Sequence, residues 1–178
     1  MKKFVIFAFY LAIGFGAKAQ VFNTAKTLKT GTFSVGIEPM LIANGGSDFI
    51  LFGHMGYGLA KDIDISAKAG MLAYSNYYGA DVEFGFLRNF SLSAGAHVWG
   101  DFGLDATFLT SFDVASNVNI FGGADLDLNF GNDVYTNFWI PIGVEVELNK
   151  NMTFILEASI GINNSAPHLF GGGINVYF

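Results

Sequence analysis

Residues 118–130 read Val-Asn-Ile-Phe-Gly-Gly-Ala-Asp-Leu-Asp-Leu-Asn-Phe, and their alternation decides the fold. Every second position from Val118 to Phe130 is aliphatic, aromatic or glycine. The positions between them carry mainly amides and carboxylates, among them Asp125 and Asp127. Successive side chains of a β-strand point to opposite faces, whereas a helix would spread both sets around its surface. The stretch therefore predicts a strand with one apolar and one polar face.

The same alternation recurs along most of the chain and predicts ten strands. We place them near residues 32–38, 49–59, 63–71, 78–87, 90–99, 104–114, 118–130, 137–148, 152–162 and 169–178. Ile50 and Phe52 interrupt the pattern of the second strand, where we expect a β-bulge. Four connections are tight, and five are slightly longer and neutral or acidic: 44–48, 73–77, 100–103, 131–136 and 163–167.

Charge is confined to one of the two faces. No Asp, Glu, Lys or Arg falls on the apolar parity of any predicted strand. The other parity carries Glu38, Asp64, Lys68, Asp81, Glu83, Asp105, Asp113, Asp125, Asp127, Glu145, Glu147 and Glu157. A soluble barrel would have to pack the apolar face, rich in Phe, Ile and Leu, into a narrow interior. Lipid accommodates that face directly and explains the missing charges, each of which would cost about 2–4 kcal/mol at the midplane.

The predicted fold is therefore all-β: a closed antiparallel up-and-down transmembrane β-barrel of about ten strands, with eight or twelve as the neighbouring possibilities. Aromatic residues of the apolar parity support it, because they concentrate near both ends of the predicted strands and leave aliphatic residues between them. Two such girdles are typical of the two membrane interfaces. The short-turn end has Phe33, Tyr57, Phe86, Phe90, Phe112, Phe154 and Phe178, and the other end has Phe49, Tyr78, Phe130, Phe138 and Phe170.

The composition agrees with this fold and excludes several kinds of site. Hydrophobic residues make up 52% of the 178 residues, with a mean hydropathy of +0.42. After the N-terminus, however, no apolar run approaches the ~20 residues of a membrane helix. The chain has no cysteine, which excludes disulfides, thiolate metal sites and a cysteine nucleophile. We expect no metal and no cofactor.

The N-terminus has the three parts of a secretory signal peptide. Lys2 and Lys3 precede an apolar run from Phe4 to Phe15, and a small-x-small site ends at Ala19 before Gln20. We therefore expect residues 1–19 to be removed, residues 20–29 to form a short periplasmic segment and residues 30–178 to form the barrel. Without the signal peptide the nine basic residues fall to six against 15 acidic ones, a net charge of −9 that excludes a nucleic-acid surface.

The last strand carries a motif at the end of the chain. Phe170, Ile174, Val176 and Phe178 occupy alternate positions, and the final residue is aromatic. This pattern resembles the C-terminal strand of Gram-negative outer-membrane β-barrels. The resemblance implies a monomer surrounded by outer-membrane lipids, whose last strand is recognised by the barrel assembly machinery and pairs with the first. It also implies that the short turns face the periplasm and the longer connections face outward.

The polar parity suggests what the lumen contains. Lys68, Asp81, Glu83, His97, Asp125 and Glu157 are expected to form a polar, mainly acidic cluster near mid-height. One hypothesis is a narrow passage for cations or small solutes, by analogy with acidic rings in channels. The alternative, which we favour, is a largely plugged lumen of structural type, because a barrel of this size leaves little free space.

Enzymatic chemistry finds little support in the sequence. Neither His97 nor the other histidines, His54 and His168, belong to a recognisable arrangement with Ser and a carboxylate. Asp125-Leu-Asp127-Leu-Asn129 lacks the features of a calcium loop and is explained by strand alternation. We expect no catalytic residues. A secreted soluble β-barrel with a lipid or other apolar ligand inside remains the main alternative, and an outer-membrane enzyme is a more distant one.

Overall fold

The computed structural model describes residues 25–43 and 47–178. The expected signal peptide, its cleavage site at Ala19 and Gln20, and the first part of the segment 20–29 lie outside the described residues. Ten strands form one closed antiparallel barrel, in which each strand pairs with its neighbours in sequence and the last pairs with the first. The predicted fold class and strand number are confirmed.

The strands extend the predicted segments by a few residues in most places. Their bounds are β1 Phe33–Ala43, β2 Ser47–Ala60, β3 Ile63–Met71, β4 Tyr77–Leu87, β5 Phe90–Trp99, β6 Asp101–Ala115, β7 Val118–Phe130, β8 Val134–Asn149, β9 Met152–Gly161 and β10 His168–Tyr177.

β1 and β2 explain the break in the polarity pattern. Exposed and buried side chains alternate along all of β1, but Met40 and Ile42 are apolar and still point inward. Their neighbours Ile50 and Phe52 on β2 are buried too, and the register of the two strands is continuous past them. The interruption at these two residues therefore reflects an apolar layer inside the barrel. The register shift in β2 lies at residues 58–60, beside the next turn.

The connections differ between the two ends of the barrel. Those at one end, which we call the short-turn end, are 61–62, 88–89, 116–117 and 150–151. At the other end, the outer end, they range from Gly100 alone to residues 162–167. The β5–β6 connection is shorter than expected because Gly100 adopts a φ of 79°, in the left-handed region that glycine tolerates best.

The outward face of the barrel is apolar in its described part except at Thr110, Thr136 and His168. Its strand positions carry no Asp, Glu, Lys or Arg, and large hydrophobic side chains such as Ile37, Ile142 and Leu156 are about half exposed there. Aromatic rings approach one another near both ends. Phe33 and Phe178 join β1 to the chain end with their centroids 6.3 Å apart, and Phe102 and Phe130 stack at 6.0 Å at the outer end.

No helix in residues 25–43 or 47–178 has the length and hydropathy needed to cross a membrane.

Candidate functional site

The lumen is arranged in layers from the outer end to the short-turn end. An apolar layer, the outer cap, comes first. The central cluster of charged residues follows, and below it Phe121 packs against Ile155. The short-turn mouth contains the N-terminal strap, which is the segment 25–32. The outer cap consists of Met40, Ile42, Ile50, Phe52, Ala73, Tyr77, Trp99 and Leu169, and the central cluster of Glu38, His54, Lys68, Asp81, Glu83, His97, Asp105, Asp125, Asp127 and Glu157.

Sheet geometry brings the central cluster together. Neighbouring strands align their inward residues in rows that cross the sheet. Because the strands of a closed barrel tilt, each row climbs from the short-turn end of β3 toward the outer end of β7. One row contains Ser66, Asp81, Gly95, Asp105 and Asp127, and the row below it contains Asp64, Glu83, Ser93, Thr107 and Asp125.

Two carboxyl groups meet over Gly95. Asp81 and Asp105 lie on either side of this glycine in the register of β4, β5 and β6. A methyl group on Gly95 would collide with an oxygen of each carboxyl group. The glycine therefore provides the space in which the two carboxyl groups approach each other.

His97 lies beside this pair of carboxyl groups. Its Nδ1 lies 3.1 Å from Asp105 Oδ2, and its Nε2 lies 3.2 Å from Asn129 Oδ1 and 3.6 Å from Asp127 Oδ2. The ring stacks on Tyr77 with the centroids 5.5 Å apart. Because both nitrogens face oxygen acceptors, both donate when the imidazole is protonated. A protonated His97 ring compensates part of the acidic charge around it.

Lys68 is the lysine of the central cluster. It interacts electrostatically with carboxylates from four strands: Glu38, Asp81, Asp125 and Glu157. Its ammonium nitrogen lies 5.3 Å from the centroid of the Phe52 ring, a cation–π distance. The ammonium group is thus shared among the acidic strands and touches the underside of the outer cap.

Hydroxyl groups and a second histidine complete the cluster. Ser66 donates to Asp81 at 3.1 Å, Thr107 to Asp125 at 2.7 Å and Ser159 to Glu157 at 2.9 Å. On β1 and β2, His54 Nε2 lies 3.0 Å from Glu38 Oε2, and both side chains are almost fully buried.

The structure brings together most of the predicted lumen residues. Lys68, Asp81, Asp125 and Glu157 converge, and His97 joins them through Asp105. Glu83 lies one row lower, where it pairs with Asp64 in the β3–β4 register. Sequence analysis placed Glu38, Asp105 and Asp127 on the polar parity but not in this cluster. Aligning these three residues with the others requires the tilt of the strands, which the alternation of polar and apolar residues does not reveal.

The outer cap closes the lumen above the cluster. Met40, Ile42 and Ile50 are at most 5% exposed. The connection 162–167 leans over them, since Trp139 Nε1 donates to Pro167 O at 2.7 Å and Ala166 is buried. This apolar closure was not predicted, because inward apolar residues look the same in sequence as a loss of alternation.

The N-terminal strap occupies the short-turn mouth. Leu28 is 1% exposed, packs against Tyr177 and donates its backbone N–H to Asp64 Oδ2 at 2.6 Å. Lys26 reaches across the opening to Asp113, with a nitrogen–oxygen distance of 3.0 Å. Gly58 lets the strap pass, because a Cβ there would collide with its backbone. The described part of the segment 20–29 thus lies within the mouth of the barrel.

Cavities remain inside the described part of the lumen. One of about 90 Å³ lies between the outer cap and the central cluster, enough for a few water molecules. Another of about 450 Å³ lies beside the strap, and the two share no lining residue. Among the described residues, no group of three or more His, Asp or Glu side chains is arranged to hold a metal ion.

The residues of the C-terminal motif share the outward face of β10. Phe170, Ile174 and Phe178 are 40–42% exposed. Val176 pairs with Val35, and Ile174 with Ile37, so the last strand closes the barrel against the first.

Comparisons with known proteins find similar chains among solved structures. No protein-family model and no curated protein sequence matches the chain. Among solved structures, the translocator domain of the autotransporter NalP from Neisseria meningitidis has a TM-score of 0.48 at 9% identity, covering 84% of this chain and 88% of that one. The outer-membrane protein OprG from Pseudomonas aeruginosa has a TM-score of 0.42 at 12% identity, covering 84% and 97%. A barrel from the de novo design of transmembrane β-barrels has a TM-score of 0.44 at 16% identity, covering 84% and 98%.

Proposed function

We propose that this protein is an integral outer-membrane β-barrel whose lumen is closed, so that its role is structural and not the passage of solutes. The observation that carries the proposal is the contrast between the two faces of one closed sheet. The outward face has no charged side chain in the described strands, and the inward face holds the charged residues of every strand that has them.

The outward face supports a lipid environment on energetic grounds. Exposed apolar surface costs about 25 cal/mol per Å² in water, and monomeric soluble proteins rarely expose apolar patches above a few hundred Å². Here the apolar surface continues around the whole barrel. Aromatic rings near both ends provide interfacial anchors.

The layers of the lumen support closure. A solute entering from the outer end meets the outer cap, then the central cluster and then Phe121 with Ile155. From the short-turn end it meets the strap, with Leu28 buried against Tyr177. The outer cap and the central cluster also support each other, because Tyr77 stacks on His97 and Lys68 lies over Phe52.

The orientation follows from the connections. We propose that the short turns, with Lys61, Arg88 and Lys150, face the periplasm and that the longer connections, among them 131–133 with Asp133, face outward. In this orientation the strap emerges from the periplasmic mouth, as expected for a chain that reaches the outer membrane from that side.

The test uses the chain from residue 20 onward, refolded in detergent. We expect a band that shifts on heating in gel electrophoresis, stable insertion into liposomes that resists alkaline extraction, and no ion current in a planar bilayer in KCl. A folded protein that stays soluble without detergent and does not insert would refute the membrane assignment and favour a secreted barrel with an internal apolar ligand.

A narrow cation passage is the second candidate, and the acidic excess of the central cluster favours it. Steady cation-selective current would support it and refute the closed-lumen proposal. That current should fall in Asp125→Asn and Glu83→Gln, which remove charge from the lumen. It should be unchanged in Asp133→Asn, which alters an outer connection.

A further inference from the structure

We propose that the outer wall of β2 to β5 binds one phospholipid of the leaflet at the short-turn end, with an acyl chain in a groove and the phosphate near Lys61 and Arg88. This inference rests on the proposed membrane location and goes beyond it, because it assigns one site and one lipid chemistry to a defined part of the wall.

The floor of the groove is made of small side chains. Ala67 pairs with Ala80 across β3 and β4, and Ala94 lies on β5 beside Val82. Alanine at these neighbouring positions leaves a depression between the larger side chains of Met55, Tyr57 and Ile65. The groove has a volume of about 430 Å³, within the range of about 300–1,000 Å³ that small-molecule sites occupy.

Tall apolar side chains form its wall on the side of β1 and β2. Phe33 pairs with Tyr57, and both belong to the aromatic girdle of the short-turn end. Met55 lies two residues further along β2 and is 53% exposed. The groove therefore starts at the girdle and extends toward the middle of the apolar band. This course matches an acyl chain whose glycerol lies at the interface.

Charge at the short-turn end identifies the head group. Lys61 lies in the β2–β3 turn and Arg88 in the β4–β5 turn, which are the two short turns of the strands that form the groove. Both side chains are about nine-tenths exposed, and their ion pairs are long, 3.9 Å to Asp62 and 3.7 Å to Asp113. Such exposed pairs contribute little, so both cations remain available to an anionic group.

The opposite side of the barrel provides a matched control. Ala158 on β9 is a small outward residue like Ala80, and it lies at a similar distance from the short-turn end of its strand. Its partners across the sheet are Ile142 and Phe170, and it does not line the groove.

The experiment is native mass spectrometry of the refolded chain in detergent, titrated with phosphatidylglycerol or phosphatidylcholine. Heat-shift gels and liposome insertion are recorded first, so that a failure of the membrane assignment is distinguished from a failure of the groove. We expect one phosphatidylglycerol to be retained. Ala80→Phe should weaken its binding about tenfold, whereas Ala158→Phe should leave it unchanged.

The head-group part is tested separately. Lys61→Ala and Arg88→Ala should each weaken phosphatidylglycerol binding about fivefold, close to the effect of one basic residue near an anionic lipid. Binding of phosphatidylcholine should stay within a factor of two of the unaltered chain. Equal affinities for Ala80→Phe and the unaltered chain in an inserted, folded barrel would overturn the proposal. A species of twice the mass that Ala80→Phe abolishes would also overturn it, because a second copy would then fill the groove.

Discussion

The outer cap and the central cluster are adjacent layers of one lumen, yet they exclude solutes by different means. The cap consists of apolar side chains in contact, such as Ile50 and Met40. The cluster consists of titratable groups joined by hydrogen bonds and ion pairs, with Lys68 and His97 among the carboxyl groups. In the cap any side chain of similar shape can serve, whereas in the cluster each charge depends on its partners. The difference teaches that a lumen is closed when side chains fill it. Whether those side chains are apolar or charged decides how well the closed lumen tolerates a substitution.

Removing the lysine of the cluster is the strongest way to break this balance. Lys68→Met keeps most of the side-chain volume but leaves several carboxylates without their cation. Loss of one partner from a buried charge network costs about 3–5 kcal/mol. We expect the free energy of unfolding, measured by urea titration in detergent or lipid, to fall by that amount.

Lys150→Met provides the control for Lys68→Met. Lys150 is exposed in the β8–β9 turn, so its loss should change the free energy of unfolding by less than about 0.5 kcal/mol. Equal effects of the two substitutions would show that the charge of Lys68 has no special partners.

Adding a charge to the outward face should lower the free energy of unfolding somewhat less than removing the charge of Lys68 from the central cluster. Ile142→Arg places a guanidinium near the middle of the apolar band on β8, at a cost of about 2–4 kcal/mol in a bilayer. Leu148→Arg, on the same strand beside a short turn, should cost about 0–1 kcal/mol. Unfolding in phospholipid vesicles measures both, and a reversed order would contradict the proposed membrane position.

A conservative substitution in the outer cap should cause a smaller loss in the free energy of unfolding. Ile50→Val removes one methylene from a fully buried side chain, which typically costs about 0.5–1.5 kcal/mol. Ile140→Val removes the same group from the outward face, where lipid can fill the gap. We expect a smaller loss there, and the same unfolding assay compares the two. Equal losses would argue that the cap is not tightly packed.

A substitution in the N-terminal strap should have the smallest effect on the stability of the whole barrel. Its effect on the local opening of the strap should be clear. Leu28→Ser removes about 1.5–3 kcal/mol of burial, which raises the open fraction of the strap about tenfold or more. Trypsin should then cut at Lys26 and Lys29 correspondingly faster, while the heat shift of the barrel is retained. Leu72→Ser, at an exposed connection, should leave the cleavage rate unchanged.

The number of strands could be predicted, and so could the side chains of each strand that face inward. Both follow because each strand repeats the same alternation of polar and apolar residues. In β7 the alternation of polarity coincides with the alternation of burial. In β2 it does not, because Ile50 and Phe52 are apolar and inward. The polarity of a residue predicts whether it faces inward only where the lumen is polar and the outer surface is apolar. At the outer cap both are apolar, which is why the cap was mistaken for an irregularity.

The composition of the candidate site was predictable, but its alignment was not. Lys68, Asp81 and Glu157 could be assigned to the lumen from parity alone. The contact of Asp81 with Asp105 depends on the tilt of the strands and on the space above Gly95. The position of Leu28 depends on the shape of the mouth and on the Asp64 carboxylate, neither of which has a local signature.

The pairing of β1 with β10 has a consequence for how the chain folds. Every other interface is a hairpin between consecutive strands, whereas Ser34 and Tyr177 are separated by 143 positions in sequence. The entropy of loop closure rises with the logarithm of loop length, so this seam would be the costliest contact to form first. If the hairpins form in succession, each new strand shortens the remaining path and the ends arrive already close. The rate of folding should then follow the local hairpins, and completion of the ring must wait until the last residues of the chain are available.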